Sequence, residues 1–261
     1  MYFTPKNNFF HGIMFHHFHN STLHPSGQGS ISKNQLIKII KFIGRENIIS
    51  PKQAMELVQQ KENIYKRGVN KVCFTFDDSL KCQYDIALPV LENYDIKAFF
   101  FIYSGVFLKE PELLEIHRYF RINFFKNINE FYNNFFKILF FSNKKAEIFL
   151  KKQKKEIKLN KIKYPFYSLN DIKFRLIRDH YLAIDEYNSL MEYMFKIYRF
   201  NPKKIINKLF MSKKNLNEII SMGHSVGLHS HSHPTFIEKL PKLAQKNEYI
   251  KNFNYINHIM T

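Results

Sequence analysis

Two short apolar runs with a helical segment between them constrain the fold of this chain more than any other feature. The first, Lys71–Phe76 (KVCFTF), is rich in β-branched and aromatic residues, which is typical of a strand. The second, Ala98–Tyr103, lies in the apolar stretch Ala98–Leu108, which is too short to span a bilayer. Ser79–Tyr94 has the helical pattern, and Pro89 predicts a kink in it. This order predicts a βαβ unit and therefore an α/β fold with a parallel sheet.

Weaker patterns on both sides of this unit predict further strands and helices. We predict strands at Gly12–Phe18, Asn47–Ser50 and Ser225–Leu228, and helices at Ser32–Ile43, from Pro51 onward, and at Lys213–Met222. Gly223 is a C-terminal stop signal for the last of these helices. After Pro234 the chain is polar and has a helical pattern.

The middle of the chain, from about Pro111 to Pro202, is dominated by the helical period. One predicted apolar face consists of Tyr187, Leu190, Met191, Met194, Phe195 and Tyr198. We interpret such faces as helix packing. The basic run Lys151–Lys163 is interpreted as a solvated face or loop rather than as a docking site.

Length and composition favour one sizeable folded domain. The chain has 261 residues, of which 45% are hydrophobic, and this argues against disorder. Its formal net charge of +18 has two interpretations. We favour a solvated surface property that follows from a Lys-, Asn- and Ile-rich composition, and we expect no nucleic-acid partner, because no stripe of arginines interleaved with aromatics is present. A nucleic-acid binder remains a rival hypothesis that rests on charge alone.

Cysteine content and the first residues bear on the compartment. Cys73 and Cys82 are too few for a disulfide scaffold, which fits a reducing environment. Met1–Phe15 has no continuous apolar core of a signal peptide. We therefore expect a cytoplasmic protein without a transmembrane segment; the sequence does not indicate its oligomeric state.

Two adjacent carboxylates, Asp77 and Asp78, directly follow the first predicted strand. In parallel sheets, sites form beyond the carboxyl ends of the strands. One carboxylate there can bind a metal ion, and the other can act as a base. The alternative is that an aspartate caps the helix that follows.

Two histidines, His229 and His233, lie four residues apart after the last predicted strand. With one carboxylate they form a three-ligand set that leaves a coordination position for water. The alternative is a casual His-rich tract, since His224 and His231 are close by. The spacing of His231 differs from that of the pair, so we do not expect it to bind the same ion.

Together, the two segments are more informative than either one alone. The segment Val72–Ser79 (VCFTFDDS) resembles the TFDDG motif of the NodB-homology polysaccharide deacetylases, carbohydrate esterase family 4. The segment Gly223–Pro234 (GHSVGLHSHSHP) resembles their second motif, H-S/T-x-x-H followed by Pro. Ala98–Ile102 and Asn215–Gly223 are similar to the neighbouring strand and helix of that family. One departure is Ser79, where the family usually has glycine.

The resemblance implies a role for each matching residue. Asp77 would be the catalytic base, and a divalent metal, most often zinc, would be held by Asp78, His229 and His233. Ser230 would support the histidine loop. The reaction would be hydrolysis of the amide of an N-acetylated sugar, and the fold a distorted (β/α) barrel.

The N-terminal segment Gly12–His19 (GIMFHHFH) is similar to the first strand of a subgroup in which a histidine after Tyr or Phe lines the site. This implies a substrate-binding role for His16, with His17 as the next choice. The alternative is that these are strand histidines that face solvent.

Two further departures from the family qualify the resemblance. Asp78 and His229 lie 151 residues apart, more than the family's usual gap. We therefore predict a single deacetylase-like domain, 1–261, with a large helical insertion at 108–211. The later family motifs, an Arg-containing segment and a Leu-x-His segment that supplies the general acid, have no match, since no Arg follows Arg199 and the context of His258 differs.

The expected barrel is accordingly incomplete at its C-terminus. A truncated product, a partner that completes the site, and a protein that has lost activity are the three explanations that we consider. The sequence thus predicts a metal-dependent N-deacetylase, hydrolysing a carbon–nitrogen bond other than a peptide bond in a glycan, lipid-linked or nucleotide-linked sugar. The rival hypothesis is a non-catalytic metal-binding or interaction protein derived from a deacetylase.

Overall fold

The structure is a computed structural model that describes residues 9–59 and 70–260. The chain divides into two compact units. One consists of Met1–Glu112 with Lys204–Thr261, and we call it the sheet unit. The other is Leu113–Lys203, which we call the helical unit.

Strands and helices follow one another along the chain. They are β1 (Phe9–Phe15), β2 (Phe18–His19), β3 (Ile31–Ser32), α1 (Lys33–Ile43), α2 (Pro51–Gln59), β4 (Asn70–Phe76), α3 (Leu88–Asn93), β5 (Phe99–Ile102), α4 (Leu113–Asn123), α5 (Ile128–Ser142), α6 (Lys144–Lys152), α7 (Lys154–Lys163), α8 (Leu169–Leu176), α9 (Ile184–Ile197), α10 (Ile206–Leu209), α11 (Lys213–Ser221), β6 (Ser225–Leu228) and α12 (Lys242–Met260). Short 3-10 helices lie at Arg45–Asn47, Gly105–Leu108, Pro202–Lys204 and Ile237–Lys239, and π-helical turns at Gln83–Ala87 and Ile177–Tyr181.

The sheet unit is organised around a parallel sheet with the strand order β1-β4-β5-β6. Phe15 pairs with Phe76 at the end of β1 and β4, and Ile102 pairs with Leu228 at the end of β5 and β6. The predicted βαβ unit is therefore confirmed, and so is the α/β class. Closure of the strands into a barrel stays a prediction.

An aromatic cluster on the central strands forms the core beneath the carboxyl edge of this sheet. Phe76 stacks on Phe100 with ring centroids 4.9 Å apart, and Phe15 lies 5.4 Å from Phe76. Phe74, Phe76 and Phe100 are fully buried. Burial of one such side chain contributes about 1.5–3 kcal/mol, so these rings fix the strand ends that carry the site.

Three predicted elements differ from the structure. The predicted strand Gly12–Phe18 is interrupted, because the chain leaves the sheet after Phe15 and Phe18–His19 pairs with Ile31–Ser32 instead. The strand expected at Asn47–Ser50 is a single bridge between Ile48 and Val72, which follows a 3-10 turn.

The predicted helix Ser79–Tyr94 also has a different form, because it contains a π-helical turn before α3. Leu88 N–H donates to the Gln83 carbonyl, five residues back. Pro89 has no N–H to donate in the next turn, and the wider turn accommodates it. The expected irregularity is therefore present as a change of helical period.

The helical unit consists of α4–α9. The predicted apolar face of α9 is buried at Tyr187, Met191, Met194 and Phe195, as packing requires. In contrast, every residue of α7 is described and none of them is buried. Among all the helices in the described part of the chain, none has the length and apolar character needed to cross a membrane.

Candidate metal centre

Both sequence motifs end at the same edge of the parallel sheet. Asp77 and Asp78 follow β4, and His229 follows β6, with β5 between these two strands. Main-chain hydrogen bonds fix both exits: Asp77 N–H donates to the Phe15 carbonyl, and His229 N–H donates to the Ile102 carbonyl. Residues 151 positions apart in sequence thus meet because parallel strands end together.

Asp78, His229 and His233 form one compact cluster. The Nε2 atoms of both histidines lie 3.1 Å from Asp78 Oδ1. One donor atom from each residue lies within 4.8 Å of the others, which is close enough for all three to bind one ion. A carboxylate oxygen with two imidazole nitrogens is a donor set typical of catalytic zinc sites. The Asp78 carboxylate faces the histidines, so the helix-cap alternative does not describe it.

Left-handed backbone conformations are concentrated at this cluster. Asp78 has φ of 76°, Ser79 57°, Ser230 63° and His233 55°. Such conformations cost residues other than glycine about 1–2 kcal/mol, and they persist only where neighbouring contacts hold them. Ser230 provides one such contact, because its Oγ accepts a hydrogen bond from His233 N–H at 3.1 Å.

The conformation of Ser79 explains the departure from the family motif. At a φ of 57° a glycine is free of the strain that a side chain introduces. Ser79 is completely buried, and its Oγ accepts a hydrogen bond from Tyr103 N–H at 3.2 Å. The hydroxyl therefore joins the β4 exit to the end of β5, an interaction that glycine lacks.

Asp77 lies beside this cluster in a different environment. It is 7% exposed, and its Oδ1 has no hydrogen-bond partner among the described residues. Burial raises the pKa of Asp77 above its ordinary value, although the nearby His229, His16 and His233 act in the opposite direction. A buried carboxylate with a raised pKa and a free oxygen has the properties of a proton acceptor.

Asp78 has the opposite electrostatic character. Burial also raises its pKa, but hydrogen bonds from His229 and His233 outweigh this effect, and the pKa is lowered. The two neighbouring carboxylates are therefore differentiated by their surroundings. Asp78 is held as an anion among imidazoles, whereas Asp77 binds a proton more readily.

His16 and His17 lie beside the cluster. His16 Nε2 is 3.7 Å from Asp78 Oδ2, and the His16 side chain is 34% exposed. The His17 ring stacks on His16 with centroids 6.0 Å apart. Of the two, His16 is the histidine that approaches Asp78 directly, and its role in substrate binding stays a prediction.

The other two histidines of the second motif point elsewhere. His224 is buried, and its Nδ1 accepts a hydrogen bond from Ala98 N–H. His231 Nδ1 lies 2.9 Å from Ser104 Oγ. Neither belongs to the described three-residue cluster, as expected for His231.

Two residues near the cluster carry no sequence signal. The Tyr103 ring packs against His233 with centroids 5.3 Å apart. Asn252, in the last helix, is fully buried and hydrogen-bonded to His229 N–H. Tyr103 was recognised only as part of a strand and Asn252 only as part of a polar helix. A buried polar residue on a helix is visible only once the fold is known.

One segment of the chain matches a known protein family. Residues 65–119 match the family model described as polysaccharide deacetylase. The resemblance of this segment to the polysaccharide deacetylases, stated from the sequence, is thereby confirmed. The matched range contains Asp77 and Asp78, whereas His229 and His233 lie beyond it. The search of curated proteins found no match.

Solved deacetylase structures resemble this chain to different extents. The Streptococcus pyogenes deacetylase PplD, in complex with acetate, is 14% identical with a TM-score of 0.48, over 95% of this chain and 67% of that one. A de-N-acetylase from Aggregatibacter actinomycetemcomitans is 20% identical with a TM-score of 0.31, over 38% of each chain. IcaB from Ammonifex degensii is 23% identical with a TM-score of 0.31, over 37% of this chain and 39% of that one.

Proposed function

We propose that this chain is a metal-dependent hydrolase that removes the N-acetyl group from a sugar. The observation that carries the proposal is the convergence of Asp78, His229 and His233 beside the buried Asp77 at the strand ends. The two aspartates lie in the segment that matches the deacetylase family model. The sugar would belong to a glycan, a lipid-linked or a nucleotide-linked substrate. A cytoplasmic location stays part of this proposal.

The residues of the cluster fit a divalent ion, and we propose zinc. Asp78 would bind through one carboxylate oxygen, and His229 and His233 through Nε2. The low pKa of Asp78 keeps it anionic, as a ligand must be. A zinc ion held there would lower the pKa of a bound water to about 7 and polarise the acetyl carbonyl.

Asp77 is the residue that we propose to move the proton. Its Oδ1 is free to accept a hydrogen bond from a water molecule, and its raised pKa suits it to take the proton as that water attacks the amide carbon. Ser230 would keep His233 in place through its hydrogen bond to the His233 N–H.

His16 and His17 are proposed to bind the sugar. The partly exposed His16 lies next to Asp78, where it would contact a substrate bound at the cluster. An imidazole can donate to or accept from a sugar hydroxyl, according to its tautomer. The stacked His17 ring would restrict the orientation of His16.

The domain organisation predicted from the sequence is part of the same proposal. The deacetylase-like domain would extend over 1–261, and 108–211 would be its helical insertion. The separate compactness of Leu113–Lys203 supports an insertion within that range. The barrel geometry is likewise proposed.

Two measurements on the full chain test the proposed function. Zinc binding is measured by calorimetry, and acetate release is measured with an oligosaccharide of N-acetylglucosamine. We expect one ion per chain, and loss of binding in Asp78→Ala, His229→Ala and His233→Ala. Asp77→Asn should keep the ion and lose acetate release by at least about 100-fold, as expected for loss of a general base.

His180→Ala is a matched control, because His180 is an exposed histidine in the helical unit. It should bind zinc like the wild type. Full occupancy in the three ligand variants would refute the site. Zinc binding without acetate release from any acetylated sugar would favour the non-catalytic alternative.

A further inference from the structure

Two side chains of the last helix, α12, hold the main chain of the histidine loop. Glu248 and Asn252 are four residues apart and therefore lie on the same face of α12. Between them they accept hydrogen bonds from three N–H groups of the loop, those of His229, His231 and Ser232. Neither residue belongs to a sequence motif described above.

Asn252 connects the loop to the end of strand β5. Its Oδ1 accepts a hydrogen bond from His229 N–H at 3.1 Å, and its Nδ2 donates to the Ile102 carbonyl at 2.9 Å. The same carbonyl also accepts from His229 N–H at 3.1 Å. Asn252 is fully buried, so water cannot satisfy its side-chain amide, and these hydrogen bonds within the protein do so instead.

Glu248 holds the next part of the loop. Its Oε2 accepts from His231 N–H at 2.9 Å and from Ser232 N–H at 2.7 Å. Its Oε1 accepts from Ser232 Oγ at 2.8 Å. Hydrogen bonds to a carboxylate are stronger than neutral ones, which suits them to a loop with left-handed residues.

We propose that Glu248 and Asn252 are positioning residues, which hold the loop from His229 to Ser232 so that both ligand imidazoles face Asp78. The inference rests on the proposed metal-binding role of Asp78, His229 and His233. It differs from that proposal because neither residue lies in the ligand set. Outer partners of metal ligands commonly change metal affinity by about 10–100-fold when they are removed.

The experiment measures zinc affinity by competition with a chelating dye, on the full chain with its folded state checked by circular dichroism. Glu248→Ala and Asn252→Ala should each weaken binding by about 10–100-fold. Glu248→Gln keeps an oxygen that can accept both N–H groups, so it should stay within about threefold of wild type. Asn254→Ala, at an exposed position on the same helix, is the matched control and should bind like wild type.

The outcomes separate this inference from the proposed function. Wild-type affinity in folded Glu248→Ala overturns the inference while leaving the metal site intact. Glu248 is only partly buried, so its variant should fold even where Asn252→Ala does not. An equal loss in Asn254→Ala would reveal a general effect of helix stability and overturn the inference. Absence of zinc binding in the wild type overturns both.

A different observation concerns a groove in the helical unit. The groove has a volume of about 820 Å³ and an apolar lining that includes Phe136, Phe140, Leu150 and Ile157. Five lysines and one glutamate also line it. Apolar side chains beside many cations and few anions fit a ligand that is itself amphipathic and anionic.

Three large apolar side chains elsewhere in the helical unit are exposed. Ile162, at the end of α7, is 79% exposed, and Phe166, which follows it, is 70% exposed. Phe141, at the end of α5, is 90% exposed. Large apolar side chains next to a basic helix are typical of surfaces that lie in the interface of a membrane.

We infer that this groove binds an anionic lipid surface, with α7 along the headgroups. From the sequence alone, Lys151–Lys163 is interpreted as a solvated face, because the basic run by itself shows no apolar partner. In the folded unit, Phe136 and Phe140 of α5 lie in the same groove as Lys154 and Lys158.

Sedimentation of the full chain with vesicles tests this inference. Phosphatidylglycerol mixed into phosphatidylcholine should bind the protein, and phosphatidylcholine alone should not. The triple variant Lys154→Glu, Lys155→Glu, Lys158→Glu should lower the partition coefficient about 100-fold, since each basic residue near such a surface contributes roughly tenfold or less. A matched triple variant, Lys33→Glu, Lys38→Glu, Lys41→Glu, changes exposed lysines of α1 and should retain binding.

Three results would overturn it. The first is equal binding to neutral vesicles, and the second is an equal loss of binding in the α1 triple variant. The third is that short duplex DNA, added as a competitor, displaces the protein from anionic vesicles at a lower concentration than added phosphatidylglycerol does. The last result would identify the basic surface as one for nucleic acid.

Discussion

Replacement of Ser79 by alanine and by glycine should separate two contributions that coincide at this position. Ser79 is completely buried with φ of 57°, and its Oγ accepts the hydrogen bond of Tyr103 N–H. Both variants lose that hydrogen bond, and the loss of an acceptor for a buried donor costs about 1–3 kcal/mol. Only glycine also removes the left-handed strain, which is about 1–2 kcal/mol.

The expected free energy of unfolding follows from this sum. Ser79→Ala should destabilise the protein by about 1–3 kcal/mol, because it loses the bond and keeps the strain. Ser79→Gly should lie between about 1 kcal/mol of stabilisation and about 2 kcal/mol of destabilisation, because relief of the strain offsets the lost bond. Glycine should therefore be more stable than alanine at position 79, the reverse of the order expected inside a helix or strand.

Urea denaturation of the two variants, followed by circular dichroism without added metal, measures this difference. The midpoint for Ser79→Gly should exceed that for Ser79→Ala, with equal slopes. If Ser79→Ala proves as stable as Ser79→Gly, the left-handed strain at this position is absent. The physical explanation for glycine in the family motif would then be wrong.

Three further predictions concern other parts of the chain. Burial raises the pKa of Asp77, so ionised Asp77 opposes folding above that pKa. Asp77→Asn should therefore raise the urea midpoint of the metal-free protein at about pH 7 while abolishing acetate release, and a lower midpoint would contradict this. Burial lowers the pKa of His117 from 6.5 to about 3, so its contribution to stability is complete above pH 6.5 and is lost as the pH falls toward 3, by at most about 1.4 kcal/mol per pH unit. His117→Phe should flatten the acid dependence of the urea midpoint, and an unchanged slope would exclude His117 as its source. A Cβ at Gly105 would lie 2.7 Å from the Glu110 carbonyl oxygen and 2.8 Å from that of His231. Gly105→Ala should therefore lower the free energy of unfolding by about 1–3 kcal/mol and weaken zinc binding, which thermal unfolding with and without zinc would measure.

The sequence was sufficient for those parts of the fold that depend on local periodicity. Their own residues predicted the strands β4 (Asn70–Phe76) and β6 (Ser225–Leu228) and the helix that Ser32 caps. The pairing of Phe18–His19 with Ile31–Ser32 was not predicted. Its strands have two residues each, and two residues show no period.

The candidate site shows the same division between local and distant information. Asp78, His229 and His233 were predicted because motif residues and strand ends coincide in the sequence. Asn252 was not, because its neighbours in α12 have the composition of a solvated helix. Its burial depends on a packing contact with a loop more than twenty residues earlier, which single-sequence patterns do not show.

The separation of the two motifs also bears on the order of folding. Strands β5 and β6 are neighbours in the sheet, where Phe99 pairs with Ser225. The whole helical unit is nevertheless encoded between them. Helices with local contacts form faster than pairings that close long loops, and a chain emerges from the ribosome N-terminus first. We therefore expect the helical unit to be compact before β6 has been synthesised. The proposed metal ligands would then assemble in the last stage of folding, so an ion would bind a nearly finished protein rather than nucleate its folding.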